Sequence, residues 1–181
     1  FVSTYGNGPI GITENNLKNI LNHAKFDGKI FHGADTALNG TQPNYDCYHG
    51  SDCLGGVSAD LDNELKEESD ISVADIIEIR TLIKQYENIT YITLGALSNL
   101  ARLIIEEESV FLKKNVQLLV MGGGIRHTNA PHNSEYNFYC DPEALKIVLD
   151  SNIPIKLFPF DLSVDYPILD ADVELLAQKL D

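Results

Sequence analysis

The 181-residue sequence predicts an α/β fold in which a mostly parallel sheet is flanked by helices. Two observations lead to this prediction. Short apolar segments alternate along the chain with segments whose apolar residues recur at helical spacing. The strand segments are apolar at consecutive positions, which is typical of strands covered by helices on both faces of a sheet. A chain of this length is one domain or part of a larger one, so we treat residues 1–181 as one partial domain.

The first half of the chain is predicted to hold two strands and two helices. Residues 1–5 form a strand that ends in a glycine-rich turn, and Thr13 caps a helix with a regular apolar face. Residues 29–32 form a short second strand. A long polar loop follows over residues 35–70, and a loop of that length inside a compact domain is usually functional. Ser72 is then expected to cap the second helix.

The second half repeats this alternation. Its predicted strands are residues 89–94, 116–121 and 153–158. Helices are expected over residues 97–107, after Asp141 and after Leu169. Asp141 suits an N-cap because its carboxylate can accept a backbone N–H, and Pro142 suits the first helical position because an N–H there would have no intrahelical partner.

Ligands of parallel sheets bind outside the carboxyl ends of the strands. That rule selects the loops that contain Asn7, Leu94, residues 122–137 and Asp161. The triple glycine at the start of the third loop lacks the G-x-G-x-x-G spacing of a dinucleotide site. Asp161 fits packing or the fixing of a loop as well as catalysis.

The densest polar group in these loops is formed by Asn129, Glu135 and Asn137. An amide both donates and accepts hydrogen bonds, and a carboxylate accepts them, so these residue types suit the vicinal hydroxyls of a sugar. Asparagine is also common in loops because it tolerates turn conformations. Composition alone therefore leaves a binding role and a structural role equally open.

Charge and composition argue against several kinds of partner and environment. Acidic residues outnumber basic ones 27 to 13, and the net charge of −14 argues against nucleic acid, because that affinity depends on clustered Lys and Arg. No apolar run approaches the roughly 20 residues of a membrane span, so no membrane partner is expected. Three cysteines are too few for a disulfide scaffold and indicate thiols in a reducing compartment, so a cytoplasmic location is expected.

Several segments carry a specific resemblance. Residues 135–144, with the sequence EYNFYCDPEA, are similar to the EFN…DPEA signature of the inosine-uridine preferring nucleoside hydrolases. The other segments that match this family in order are residues 6–7, 32–35, 49–56, 94–101, 119–124 and 160–163. The chain resembles the family over essentially its whole length, which implies a nucleoside hydrolase-like, Rossmann-like fold.

The resemblance implies a reaction and a cofactor. Members of the family hydrolyse the N-glycosidic bond of ribonucleosides to a free base and ribose, a reaction of purine and pyrimidine salvage. They hold a calcium ion that binds the nucleophilic water and the 2′- and 3′-hydroxyls of the ribose. A ribonucleoside is therefore the expected substrate and calcium the expected cofactor.

The resemblance also assigns roles to particular residues. Asn129, Glu135 and Asn137 are expected to bind the ribose hydroxyls. Asn7 and Glu135 are the expected catalytic residues, with Asn7 near the ribose and the nucleophile. Glu135 would lie against the positive charge that develops on the sugar during cleavage.

Two further residues complete the set of candidates. Leu94 is expected to offer its backbone carbonyl to calcium, which prefers hard oxygen donors. His49 is a candidate substrate contact near the mouth of the site, although loop histidines are more often merely solvated.

Two elements of the family have no counterpart in these 181 residues. One is an N-terminal strand that ends in an Asp cluster, DxDxGxDD, and supplies most calcium ligands and the general base. The other is a later segment with a His beside the leaving base. We therefore expect an incomplete chain whose parent is a calcium-dependent ribonucleoside hydrolase. The alternative is a non-catalytic relative that binds a nucleoside or a protein partner. Family members often form dimers or tetramers, so these are the candidate assemblies.

Overall fold

A computed structural model of the chain describes residues 1–45, 48–64 and 73–180. The strands are β1 Ile30–His32, β2 Val73–Asp75, β3 Asn88–Thr93, β4 Asn115–Met121 and β5 Ile155–Phe158. The helices are α1 Ile10–His23, α2 Ser58–Glu64, α3 Ile77–Gln85, α4 Ser98–Lys113, α5 Tyr136–Cys140, α6 Pro142–Asp150, α7 Phe160–Asp165 and α8 Asp170–Leu180, and a 3-10 turn covers Pro131–Asn133. Within these ranges no helix is both long enough and apolar enough to cross a membrane.

The strands form two parallel sheets. β1 pairs with β2, and β4 lies between β3 and β5 in the second sheet. In the second sheet Thr93 pairs with Val120, and Met121 pairs with Phe158. Because these three strands run in the same direction, the loops that follow them emerge at the same edge. The predicted α/β fold with parallel strands flanked by helices is confirmed.

The core of the second sheet follows from the periods of its strands and helices. Alternate residues of β4, namely Val116, Leu118 and Val120, are buried because successive side chains of a strand point to opposite faces. Residues of α4 and α6 pack into the same apolar cluster, among them Leu100 and Val148. The apolar faces of these helices therefore cover the central strand.

The N-terminal segment, residues 1–5, lies beside β1. The N–H of Phe31 donates to the carbonyl of Phe1 at 2.9 Å, and the N–H of Ser3 donates back to Phe31 at 3.0 Å. Only one isolated bridge, between Val2 and Phe31, is formed, so the segment is extended but shorter than a regular strand. Since the N–H groups of an extended chain alternate in direction, those of Val2 and Thr4 point away from β1.

Two predicted helix starts are wrong. Helix α1 begins at Ile10 rather than at Thr13, because Pro9 occupies the N-cap with a φ of −57° that suits a helix start. The hydroxyl of Thr13 instead donates to the carbonyl of Thr4 at 2.9 Å. Ser72 lies outside the described residues, and residues 73–75, which the predicted helix included, form strand β2 in register with β1. Pairing with a neighbouring strand overrides the local helical pattern there.

The cap at Asp141 is confirmed, and its carboxylate does more than cap α6. One oxygen accepts the N–H of Ala144 at 3.0 Å. The other accepts the N–H of Leu38 at 2.8 Å and the hydroxyl of Ser98 at 2.6 Å. Asp141 is only 1% exposed, so these bonds satisfy a buried charge. They join the long loop, α4 and α6 at one point.

Gly33 marks a close approach of two backbone segments. A Cβ atom there would lie 1.9 Å from the carbonyl oxygen of Ser3 and 2.6 Å from Nδ2 of Asn99. We expect Gly33→Ala to displace the N-terminal segment and to lower the free energy of unfolding by about 1–3 kcal/mol. Urea unfolding of the full-length protein measures this loss.

Gly11→Ala provides the matched control. A Cβ atom at Gly11 meets nothing within 4 Å, and alanine favours a helix over glycine by about 0.5–1 kcal/mol, so this variant should be at least as stable as the wild type. Equal unfolding midpoints for the two variants would contradict the close approach at Gly33.

Candidate functional site

A cleft of about 780 Å³ lies between the N-terminal segment and β3. Three of the predicted site residues line it, namely Asn7, Leu94 and Asn137. The side chains of Thr4 and Thr93 line it too, and within the described part of the chain their buried hydroxyl oxygens have no hydrogen-bond partner. The cleft thus combines amide, carbonyl and hydroxyl groups that can bind a polar ligand.

Glu135 lies beside this cleft as a buried N-cap. Its carboxylate accepts the N–H of Gly123 at 3.0 Å, of Asn137 at 3.0 Å and of Phe138 at 3.2 Å. The side chain is 2% exposed, so the three amides replace the water that a carboxylate would otherwise bind. An ionised carboxylate offers about four acceptor sites, so one remains for a further donor. Glu135 therefore fixes the turn after β4 to the start of α5.

Asn137 connects the carboxyl ends of two neighbouring strands. Its Nδ2 lies 3.3 Å from the carbonyl oxygen and 3.0 Å from the sulfur of Met121, at the end of β4. The same nitrogen lies 3.5 Å from the carbonyl oxygen of Leu94, which follows β3. These contacts use the amide nitrogen, and none of them uses Oδ1. The structure therefore brings the predicted carbonyl of Leu94 next to the predicted ribose-binding amide of Asn137.

Asn129 is held by the backbone of α5. Its Oδ1 accepts the N–H of Tyr136 at 2.8 Å, while the N–H groups of Asn129 and Ala130 both donate to the carbonyl of Ser134. The turn that these bonds close includes His132, whose φ is +60°. Asn129 therefore stabilises the turn that precedes α5. It is also exposed at the surface beside Glu135.

Asn7 occupies a tight turn on the other wall of the cleft. Gly6 has a φ of +143°, which favours glycine, and its N–H donates to the carbonyl of Gly8 at 3.3 Å. The hydroxyl of Tyr136 donates to the carbonyl of Gly6 at 2.8 Å. A Cβ atom at Gly8 would lie 2.3 Å from the sulfur of Cys53, so the loop that contains Cys53 closes against this turn.

His49 is not among the residues that line the cleft, and neither are Asn129 and Glu135. His49 is exposed, and its ring contacts that of Tyr48 at a centroid distance of 5.2 Å. Cys53 from the same loop lines the cleft instead. The loop is shaped by Asp52, whose carboxylate accepts the N–H groups of Leu54, Ser58 and Gly56, and these bonds lower the pKa of Asp52.

Sequence reasoning also missed the contribution of tyrosines to the site. Tyr5 is 1% exposed, and burial raises its pKa, so its hydroxyl stays protonated at neutral pH. That hydroxyl lies 2.9 Å from Oγ of Ser98 and donates to the carbonyl of Cys140 at 3.2 Å. No alternation of apolar and polar residues in residues 1–5 marks Tyr5 as buried, and its polar partners come from distant segments.

Asp161 fixes the loop after the triple glycine. Its carboxylate accepts the N–H of Ile125 at 2.7 Å and the N–H of Arg126 at 2.8 Å. The bond from Ile125 is the main cause that lowers the pKa of Asp161. Of the roles that the sequence left open for Asp161, the structure supports the fixing of a loop.

The residues of this site do not fit calcium by themselves. Calcium takes six to eight oxygen ligands, usually with several carboxylates among them. Within residues 1–45, 48–64 and 73–180, no group of three or more His, Cys, Asp or Glu side chains could hold a metal ion. Leu94 would offer one carbonyl, and the carboxylate of Glu135 is already bonded to three amides.

The lowered pKa of Asp161 predicts an acid-sensitive loop. An aspartate in an unfolded chain has a pKa of about 3.9. Because the folded value is lower, Asp161 stabilises the fold fully above about pH 4 and loses that contribution as the pH falls through the folded value. The wild type should therefore be more stable than Asp161→Asn at neutral pH, by a margin that shrinks in acid.

Urea unfolding of the full-length protein at stepped pH measures that margin. Asp165→Asn is the matched control, because Asp165 on the same helix pairs with the exposed side chain of Arg126 rather than with backbone amides. A margin for Asp161→Asn that stayed constant from pH 7 to pH 3 would contradict the prediction.

Comparisons with known proteins identify relatives of the chain. The sequence model described as "Inosine-uridine preferring nucleoside hydrolase" matches residues 1–180. An uncharacterised protein of Schizosaccharomyces pombe is 31% identical over 98% of this chain and 54% of its own length. The pyrimidine-specific ribonucleoside hydrolase RihB of Escherichia coli is 28% identical over 87% of this chain and 49% of its own length. The chain thus spans about half the length of these curated relatives.

Solved structures share the fold. A plant nucleoside hydrolase superimposes with a TM-score of 0.75 at 24% identity, over 90% of this chain and 51% of its own. An inosine-guanosine nucleoside hydrolase gives a TM-score of 0.75 at 21% identity, over 92% of this chain and 55% of its own. With a family match that runs from residue 1 to residue 180, the chain belongs to the inosine-uridine preferring nucleoside hydrolases.

Proposed function

We propose that the complete protein hydrolyses the N-glycosidic bond of ribonucleosides and releases a free base and ribose. The observation that carries this proposal is the shared cleft, where Asn7, Leu94 and Asn137 meet at the carboxyl ends of the strands. These residues come from three segments that are far apart in the sequence. A mostly apolar cleft of about 780 Å³ with a few polar groups is of the size and kind that small-molecule sites have.

Recognition of the ribose would fall to the amides around α5. Asn137 uses its nitrogen to hold the strand ends, which leaves Oδ1 to accept a hydroxyl of the sugar. Asn129 uses its Oδ1 to hold Tyr136, which leaves its nitrogen to donate. One amide that accepts and one that donates can together bind two neighbouring hydroxyl groups.

Glu135 would act on the charge of the transition state. Cleavage of an N-glycosidic bond proceeds through an oxocarbenium-like sugar, on which positive charge develops. A buried carboxylate stabilises such a charge more strongly than an exposed one, because less water screens the interaction. Three backbone amides fix the carboxylate in place, so little reorganisation is needed when the charge develops.

Calcium dependence is part of the proposal only for the complete protein. When bound, calcium would supply a Lewis acid for the water and the ribose hydroxyls. The carboxylates that it needs would come from outside the described residues, while Leu94 would contribute its carbonyl. The steps proposed for Asn7, Asn129, Glu135 and Asn137 are binding of the ribose and stabilisation of charge.

The relatives differ in the base that their names specify. The Escherichia coli relative is named a pyrimidine-specific hydrolase, and one structural neighbour is named an inosine-guanosine hydrolase. Both inosine and uridine are therefore the first substrates to test. A dimer or tetramer and a cytoplasmic location stay predictions, which size-exclusion chromatography with light scattering and fractionation of the source cells would test.

The test of the proposed function is product formation by the full-length protein. Inosine and uridine are incubated with it in the presence of calcium, the free base is separated by chromatography, and ribose is measured as reducing sugar. Equal amounts of base and ribose would support hydrolysis. Saturable binding of the nucleosides in calorimetry without product would favour the non-catalytic alternative and overturn the proposal.

Asn129→Ala should weaken substrate binding more than turnover. The variant loses the acceptor for the N–H of Tyr136 and one neutral hydrogen bond to the ribose. The bond to the ribose is worth about 0.5–1.5 kcal/mol, which corresponds to a rise in KM of roughly two- to tenfold. Calcium affinity should change little, since Asn129 is not expected to be a ligand. Steady-state hydrolysis and a separate calcium titration measure the two effects.

Thr128→Ala is the matched control for this variant. Thr128 is the exposed neighbour of Asn129 and has no proposed role, so its loss should leave KM unchanged. The same KM for wild type and Asn129→Ala would contradict the ribose-binding role of this amide.

A further inference from the structure

The hydroxyl of Tyr136 joins the two walls of the cleft. It donates to the carbonyl of Gly6 at 2.8 Å, across 130 residues of sequence. Tyr136 is the first residue of α5, directly after the N-cap Glu135. Gly6 directly precedes Asn7. One hydrogen bond therefore ties the segment that holds Glu135 and Asn137 to the turn that presents Asn7.

Gly6 and Gly8 of that turn are buried and the loop of Cys53 closes against it, but its own sequence offers few hydrogen bonds that would fix one backbone conformation. Asn7 lies between two glycines, and glycine has more accessible backbone conformations than any other residue. Gly6 adopts a φ of +143°, and the bond between its N–H and the carbonyl of Gly8 is long, at 3.3 Å. The side chain of Asn7 is exposed, so packing does not fix it. The bond from Tyr136 is the shorter of the two hydrogen bonds described for Gly6.

Phenylalanine offers a substitution that isolates the hydroxyl of Tyr136. It fills nearly the same volume as tyrosine but has no donor. Tyr136→Phe would therefore keep the aromatic ring at the start of α5 and remove the hydroxyl that donates to the carbonyl of Gly6.

We propose that Tyr136 is a positioning residue whose hydroxyl presets Asn7 in the nucleoside site by fixing the carbonyl of Gly6. The proposal rests on the proposed function of the cleft. It follows that Tyr136 acts on the reaction through Asn7, without itself touching the substrate. A group that is already in place before the reaction lowers the barrier because it need not be ordered on the way to the transition state.

Tyr136→Phe in the full-length protein tests this inference. Loss of one neutral hydrogen bond should lower kcat about two- to tenfold, while KM changes by less than a factor of two, if Asn7 acts mainly in the transition state. A rise in KM at unchanged kcat, or wild-type values of both, would overturn the inference.

A double-mutant cycle with Asn7→Ala separates positioning from a structural effect. If Tyr136 acts through Asn7, adding Tyr136→Phe to Asn7→Ala should cause no further loss of kcat. The losses of kcat in the two single variants will then not add in the double variant. Independent, additive losses would show that Tyr136 matters by another route and would overturn the inference.

Two control variants address the neighbourhood of the hydroxyl. Tyr139→Phe removes a hydroxyl from a more exposed position of the same helix and should keep wild-type kinetics.

Tyr136 also has a hydrogen bond with Cys140, which lies one turn further along α5. Cys140→Ala removes that bond and keeps the one to Gly6, so it should retain kcat. A loss in Cys140→Ala equal to that in Tyr136→Phe would overturn the role assigned to the bond with Gly6.

A measurement without substrate distinguishes this inference from the proposed function. The NMR order parameter of the Asn7 backbone amide should be near 0.85 in the wild type, typical of rigid backbone, and should fall toward 0.6 in Tyr136→Phe. Absence of nucleoside hydrolysis by the wild type would overturn the proposed function, and the order parameter would still decide whether Tyr136 holds the turn. An unchanged order parameter would overturn the inference even in an active enzyme.

Discussion

The carboxylate of Glu135 accepts hydrogen bonds from the backbone of Gly123, Asn137 and Phe138, and the geometry of the site depends on these three bonds. They fix the turn after β4 against the start of α5. The position of Asn137 follows, and through it the contact with the carbonyl of Leu94. A buried carboxylate must satisfy its acceptors within the protein, so displacing this loop would leave a charge without partners. The site therefore has one favoured arrangement before any ligand binds.

Carboxylates that accept several backbone N–H groups also occur in other loops at this edge of the sheets. Asp52, Asp141 and Asp161 each bind at least two backbone N–H groups of a loop or a helix start. Carboxylates suit this task because both oxygens accept and charge-assisted bonds are stronger than neutral ones. Much of the acidic composition near the cleft is thus structural. A high content of Asp and Glu in such loops need not indicate a metal site, and no group that could hold a metal occurs among the described residues.

Sequence patterns predicted the parts of this fold that local chemistry determines. The alternation of strands and helices and the N-cap at Asp141 depend on neighbours in sequence, and both are confirmed. The predicted start of α1 at Thr13 is wrong because Pro9, which precedes the predicted cap, already suits a helix start. Strand β2 was missed since its three residues are a strand only through pairing with β1.

The rule that ligands bind at the carboxyl ends of parallel strands selected the loops of Asn7, Leu94 and Asn137, and these three residues line one cleft. The bond from Tyr136 to Gly6 could not be predicted, because it joins side chain and backbone across 130 residues.

Amide hydrogen exchange in the full-length protein tests most directly whether Glu135 organises the site. In the wild type, the amides of Gly123, Asn137 and Phe138 should exchange slowly, since each donates to the buried carboxylate. In Glu135→Ala all three should lose protection together, while the amide of Ala144, which donates to Asp141, should keep it. Fast exchange of the three amides in the wild type, or unchanged protection in the variant, would contradict the account.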